Sequence, residues 1–90
     1  MRWKALPGAE LVVEGLRDLE ADRTTKAALL VSIGAPKLRS LGVPVGNAID
    51  DAEHRLWMSL AESGTDSAHG RYNALVRRLV SFERALACAG

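Results

Sequence analysis

The longest run of the chain without a polar face is 27–42, AALLVSIGAPKLRSLG. Ser32 is the one polar residue between Lys26 and Lys37. On a helical wheel, Ala27, Leu30, Val31 and Gly34 lie on one side, and Leu29 and Ile33 on the other. A helix apolar all round has to be covered on more than one side, by flanking helices or by a second subunit. Before it, Leu11, Gly15 and Leu19 recur every four residues beside Val12 and Leu16, a single helical stripe. Glu14, Arg17, Asp18 and Glu20 make its wet side, and Val13 falls outside the stripe. Gly15 inside a helix costs about 1 kcal/mol against alanine, which points to a close helix crossing. After it, Ala52, Leu56 and Leu60 form an inner face with Trp57 to one side, and Met58 points away. Tyr72, Leu75, Val76, Leu79, Phe82 and Leu86 form the best 3.6-residue pattern of the chain, with Val80 at its edge.

The breaks agree with these stripes. Trp3 and Leu6 are the apolar residues of a short lead-in, and Pro7 suits the first turn of a helix over about 7–21. Glu10 sits where the helix dipole favours an acid. Asp22, Thr24 or Thr25 can cap the next helix, about 25–34. Pro36 disfavours helix at Ala35 and splits off a short turn, 36–41, which Gly42 closes as a left-handed cap. GVPVG, 42–46, is a loop. Asp50 and Glu53 have capping-box spacing, placing a third helix over 50–63 with Gly64 as its stop. Asp66 or Ser67 caps the last, 67–87. Nothing alternates long enough for a strand. The expected fold is all-α: one domain over 1–90, an irregular four-helix bundle with a short extra helical turn after the second helix.

Composition narrows function mainly by exclusion. The chain has 90 residues, is 48% hydrophobic and 26% charged, and so belongs with globular rather than disordered sequences. A net charge of +1 gives no global pull toward nucleic acid or anionic membrane. Cys88 is the single thiol, which suits a reducing compartment. No segment reaches the length of a membrane span or a signal peptide. The expectation is a complete, cytoplasmic, bacterial-type protein that starts at Met1.

Candidate chemistry is sparse. His54 and His69 are the only imidazoles, and His54 has just Asp50 and Asp51 within helical reach. No serine stands in a nucleophile elbow, no glycines have phosphate-cradle spacing, and neither histidine follows an arginine at the four-to-six-residue spacing of helical ribonucleases. No catalytic residue, cofactor or metal is expected. Two binding readings remain. Protein association would use the apolar residues off their stripes, Val13, Leu29, Ile33, Met58 and Val80, with Tyr72 of the last stripe and Arg71 and Arg78 on its flank. The alternative is a helix–turn–helix-like DNA regulator built on 27–42, with Lys37 and Arg39 on the short second helix and Arg77 and Arg84 on the wet side of the last.

The stretches GLRDLEADRTTKAALLVSIGAPKLRSLGVPV, Gly15 to Val45, and RYNALVRRLVSFERAL, Arg71 to Leu86, resemble a set of small uncharacterised bacterial helical proteins. The resemblance implies the small helical partner of a nucleotidyltransferase in a two-gene pair, in the manner of an antitoxin. It draws attention to Thr24, Pro36, Arg39, Arg71, Tyr72, Asn73 and Arg78, and defines no functional residue among them.

Overall fold

In the computed structural model, which describes residues 2–62 and 64–89, five α-helices follow a short 3-10 turn, Arg2–Ala5. They are α1 (Ala9–Glu20), α2 (Lys26–Ile33), α3 (Ala35–Ser40), α4 (Ala52–Ala61) and α5 (Thr65–Ala89). No strand occurs among the described residues. The fold is all-helical. Ser63, the expected end of the third helix, and the side chain of Trp3 lie outside the described residues.

Helix α2 is the centre, as its composition demands. Ala27, Ala28, Leu29, Leu30, Val31 and Ser32 are all buried. The chain's own α1, α4 and α5 pack around them, so covering α2 takes no second subunit. Gly15 sets the closest approach. A Cβ placed there would lie 2.4 Å from the carbonyl oxygen of Ala27 and 2.4 Å from Cγ2 of Val31. The glycine lets the α1 backbone rest directly on α2. Phe82, Leu38, Leu56, Val12 and Val43 complete one continuous cluster with Leu30 and Val31.

The helix ends correct several expectations. Helix α1 starts at Ala9 rather than at Pro7, because Gly8 stands in the left-handed region at φ 79° and turns the chain before the first helical residue. At its other end the Asp22 N–H donates to Leu19 O (3.2 Å) and the Arg23 N–H to Asp18 O (2.8 Å), the paired bonds of a Schellman ending. Asp22 occupies the left-handed position there at φ 57°, where glycine is usual. Asp18, placed on the wet side by the wheel, is 7% exposed. Its carboxylate accepts a 2.6 Å bond from the Thr25 hydroxyl, whose oxygen in turn accepts from the Ala28 N–H at 3.1 Å. Thr25 is therefore the cap of α2, and Asp18 orients that cap.

Pro36 does not keep Ala35 out of a helix. Gly34, at φ −87° and ψ 3°, makes the bend one residue earlier, and Pro36 falls in the first turn of α3, where its missing N–H has no role. The second Schellman ending forms as the glycine suggests: Gly42 N–H to Arg39 O at 3.1 Å and Val43 N–H to Leu38 O at 2.9 Å. Helix α4 starts at Ala52, and the capping box does not form. Asp51 is the capping residue but sits at φ 56° with no side-chain bond to the helix. Helix α5 begins before its expected caps, at Thr65. The Ser67 hydroxyl lies inside its first turn and donates back to Gly64 O at 3.4 Å.

Two substitutions test these local arguments. Gly15→Ala gains helix propensity but forces atoms together in a filled crossing, so we expect a loss of about 2 kcal/mol or more, roughly 10 °C in thermal midpoint. Asp22→Gly relieves a left-handed residue and should raise stability by about 0.5 kcal/mol. Urea denaturation of the two variants beside the parent reads both signs.

Candidate functional site

Helix α5 is 25 residues long, about 37 Å at 1.5 Å per residue. That matches the 38 Å long axis of the molecule. Ala68, Leu79 and Phe82 are buried, and Tyr72, Leu75, Val76 and Leu86 pack half-buried against the same core. At one end of this face, Trp57 of α4 meets His69 and Tyr72 edge to face, with ring centroids 5.7 and 6.3 Å away. Burial raises the Tyr72 phenol above its ordinary 10.0, and the Glu53 carboxylate adds to the rise. Between Asp66 and Glu83 the helix carries no acid, but it holds Arg71, Arg77 and Arg78.

These arginines divide. Arg78 reaches α1 and donates to Glu10 Oε1 at 2.6 Å, an exposed ion pair that fastens the two helices. Arg71, Arg77 and Arg84 are exposed and have no hydrogen bond or ion pair among the described residues. Arg77, Val80 and Arg84 stand at i, i+3 and i+7, so they share one face. Val80 is half-buried between two open arginines.

The other expected contacts are scattered. Leu29 is 3% exposed and belongs to the core beside α4, a correction to its place among contact residues. Met58 is 52% exposed and borders a depression with Leu29, His54 and Glu62. Val13 is half-buried on a different depression, between Glu10, Glu14 and Arg17. Val13 and Met58 therefore do not open onto one depression. Ile33 is half-buried in a third, with Ser32, Pro36, Ile49, Asp50, Asp51 and Glu53 around it.

That third depression is the one the wheel did not reveal. Its floor is held by Ser32. The Ser32 hydroxyl donates to Ala28 O at 2.8 Å and accepts the Ile49 N–H at 2.9 Å. This bond draws the loop before α4 onto α2 and sets Ile49 beside Ile33. Asp50, Asp51 and Glu53 are exposed at its rim, and none forms an ion pair among the described residues. In the sequence, their spacing reads as a helix cap. In the structure Asp51 stands in the left-handed region and its side chain makes no cap bond.

The region 27–42 departs from a DNA reader. Helix α3 has six residues. Arg39 folds back, its Nε donating to Val45 O at 3.2 Å and its Nη2 to Gly46 O at 2.6 Å. It braces the loop 43–46 instead of projecting. Lys37 is exposed and close enough to Glu83 of α5 to act on its charge. Burial over Gly34 pushes the Glu83 carboxyl above its ordinary 4.5, and Lys37 opposes the rise.

Among the described residues no three His, Cys, Asp or Glu side chains gather in a way that could hold a metal ion. Cys88 is exposed as a free thiol. No described helix is long and apolar enough to cross a membrane. The arrangement belongs to the all-α class. No protein-family model, curated protein or solved structure matches the chain significantly.

Glu83 gives a test of this packing. A carboxyl whose folded pKa is raised contributes stability below its unfolded value and loses it as pH rises through the folded value. Glu83→Gln never charges. Its thermal midpoint should exceed the parent's at pH 7, and the gap should close as pH falls below 4.5. A lower midpoint for the variant at pH 7 would mean that attraction to Lys37 outweighs burial.

Proposed function

We propose that this chain is a protein–protein interaction module of the bacterial cytoplasm, acting as a homo-oligomer or as the small subunit of a pair. In the second form it would resemble an antitoxin beside a nucleotidyltransferase. Its five helices are read as an irregular four-helix bundle, with α3 as the short extra turn. One observation carries the reading: Val80 lies half-buried between exposed Arg77 and Arg84, neither of which has a partner within the described chain. Apolar residues flanked by arginine are typical of interfaces, where arginine is enriched and other charges are depleted at the centre. A lone exposed apolar residue such as Met58 needs no partner to explain it.

A DNA-binding regulator is the second reading, and exposed Lys37, Arg77 and Arg84 favour it. The fold-back of Arg39 and the net charge of +1 weigh against it. Phosphate contacts make DNA affinity fall steeply with salt, so retention on duplex DNA at low salt separates the readings. We expect the chain to pass unretained. Light scattering across a concentration series should give a mass above the 9.7 kDa of one chain. A strict monomer would leave only a second protein as partner. A monomer retained on DNA would replace the interaction reading.

A further inference from the structure

The molecule carries two charged surfaces that find no ion pair among the described residues, and they are complementary. One is the strip Arg77–Val80–Arg84 on α5, with a half-buried apolar side chain between two exposed cations. The arginines are seven residues apart, about 10 Å along the helix. The other is the depression beside α4, with half-buried Ile33 and Ile49 at its floor and exposed Asp50, Asp51 and Glu53 at its rim. The chain's two ion pairs among the described residues, Arg23–Asp18 and Arg78–Glu10, use none of these groups.

We propose that the occupant of this depression is a second copy of the chain, which presents its α5 strip there. Val80 of one copy covers Ile33 and Ile49 of the other, and Arg77 and Arg84 meet the carboxylates of the rim. The proposal rests on the interaction reading above and names its partner. Three features favour a copy over an unrelated protein. Both halves of the match are present in one sequence, with apolar centre facing apolar centre and cations facing anions. A net charge of +1 means that two copies meet with almost no overall repulsion. The carboxylates lie free because the capping box that would have engaged them is not made.

Opposite charges across an interface set its register and its salt dependence. Exposed pairs of this kind are individually weak and screened by salt, so the association is salt-sensitive and of modest affinity. Placing the same charge on both surfaces turns the attraction into repulsion.

The test uses the full chain and two double variants at exposed positions, Arg77→Glu/Arg84→Glu and Asp50→Lys/Glu53→Lys. Circular dichroism and thermal melting establish that each folds, and light scattering at low salt follows mass. The parent should self-associate. Each variant alone should associate at least roughly tenfold more weakly. An equimolar mixture, one copy acidic on both surfaces and the other basic on both, should recover the association. Val80→Gln, which leaves every charge in place, should weaken it too and stands in where a double variant does not fold. A parent that is monomeric at low salt overturns the second copy as occupant while leaving the interaction reading open to a different protein. A parent oligomer unmoved by both reversals overturns these two surfaces and leaves self-association standing. A mixture no tighter than its components overturns the pairing of the two surfaces.

Discussion

The contact that the rest of the molecule depends on is the seat of Gly15 on α2, where a Cβ would meet a backbone oxygen at 2.4 Å. A helix with no polar face gains from being approached closely, because each neighbour that touches its backbone removes more water from its apolar atoms. With α1 this near, α2 is flanked on one side by main chain rather than by bulky side chains. That leaves Leu29 for α4 and the Gly34 end for Leu79 of α5. Gly34 repeats the device, since a Cβ there would press on Leu79 Cδ2 at 2.9 Å. One glycine on α1 and one at the end of α2 let two different helices close on the central helix.

Polar groups then fix what apolar burial leaves free. Hydrophobic packing is not directional, so it does not specify how the chain enters or leaves α2. Asp18, Thr25 and the Ala28 N–H form a short relay that joins the end of α1 to the start of α2. Ser32 does the corresponding work at the other end by taking the Ile49 N–H. Arg39 binds the intervening loop through two carbonyls. These groups find partners between 3 and 17 residues away, and so tie each loop to the helix it leaves or enters. No buried side-chain polar atom among the described residues lacks a hydrogen-bond partner.

Much of the helical framework was legible in the sequence because it rests on periodicity and on residues that act alone. The central place of α2, the close crossing at Gly15, a cap among Asp22, Thr24 and Thr25, and the left-handed Gly42 follow from side-chain size and backbone preference. What was not legible depends on contacts between distant residues. Asp18 lies on the charged side of its wheel and is buried only because the Schellman ending brings Thr25 over it. Arg39 reads as a free cation and is held by carbonyls six and seven residues on. Asp50 and Glu53 have capping spacing, yet the helix starts one residue later, with Asp51 as its left-handed and unbonded capping residue. Of the candidate contact surface, Val80 and Ile33 could be named from the wheel, and Arg77 and Arg84 only as alternative nucleic-acid contacts. Ile49 and the acidic rim could not, since the bond from Ser32 that places them spans 17 residues.

The same bond places the loop before α4. Held as it is, the loop keeps a left-handed aspartate at the helix start, a conformation that non-glycine residues adopt at some energetic cost. The free N-terminal amides of α4 then lack the side-chain acceptor that Asp51 would otherwise supply. The same loop geometry leaves three carboxylates facing solvent beside an apolar floor. The uncapped start of α4 and the exposed carboxylates thus stand directly after the residue that Ser32, in the middle of the most apolar helix, holds by its N–H.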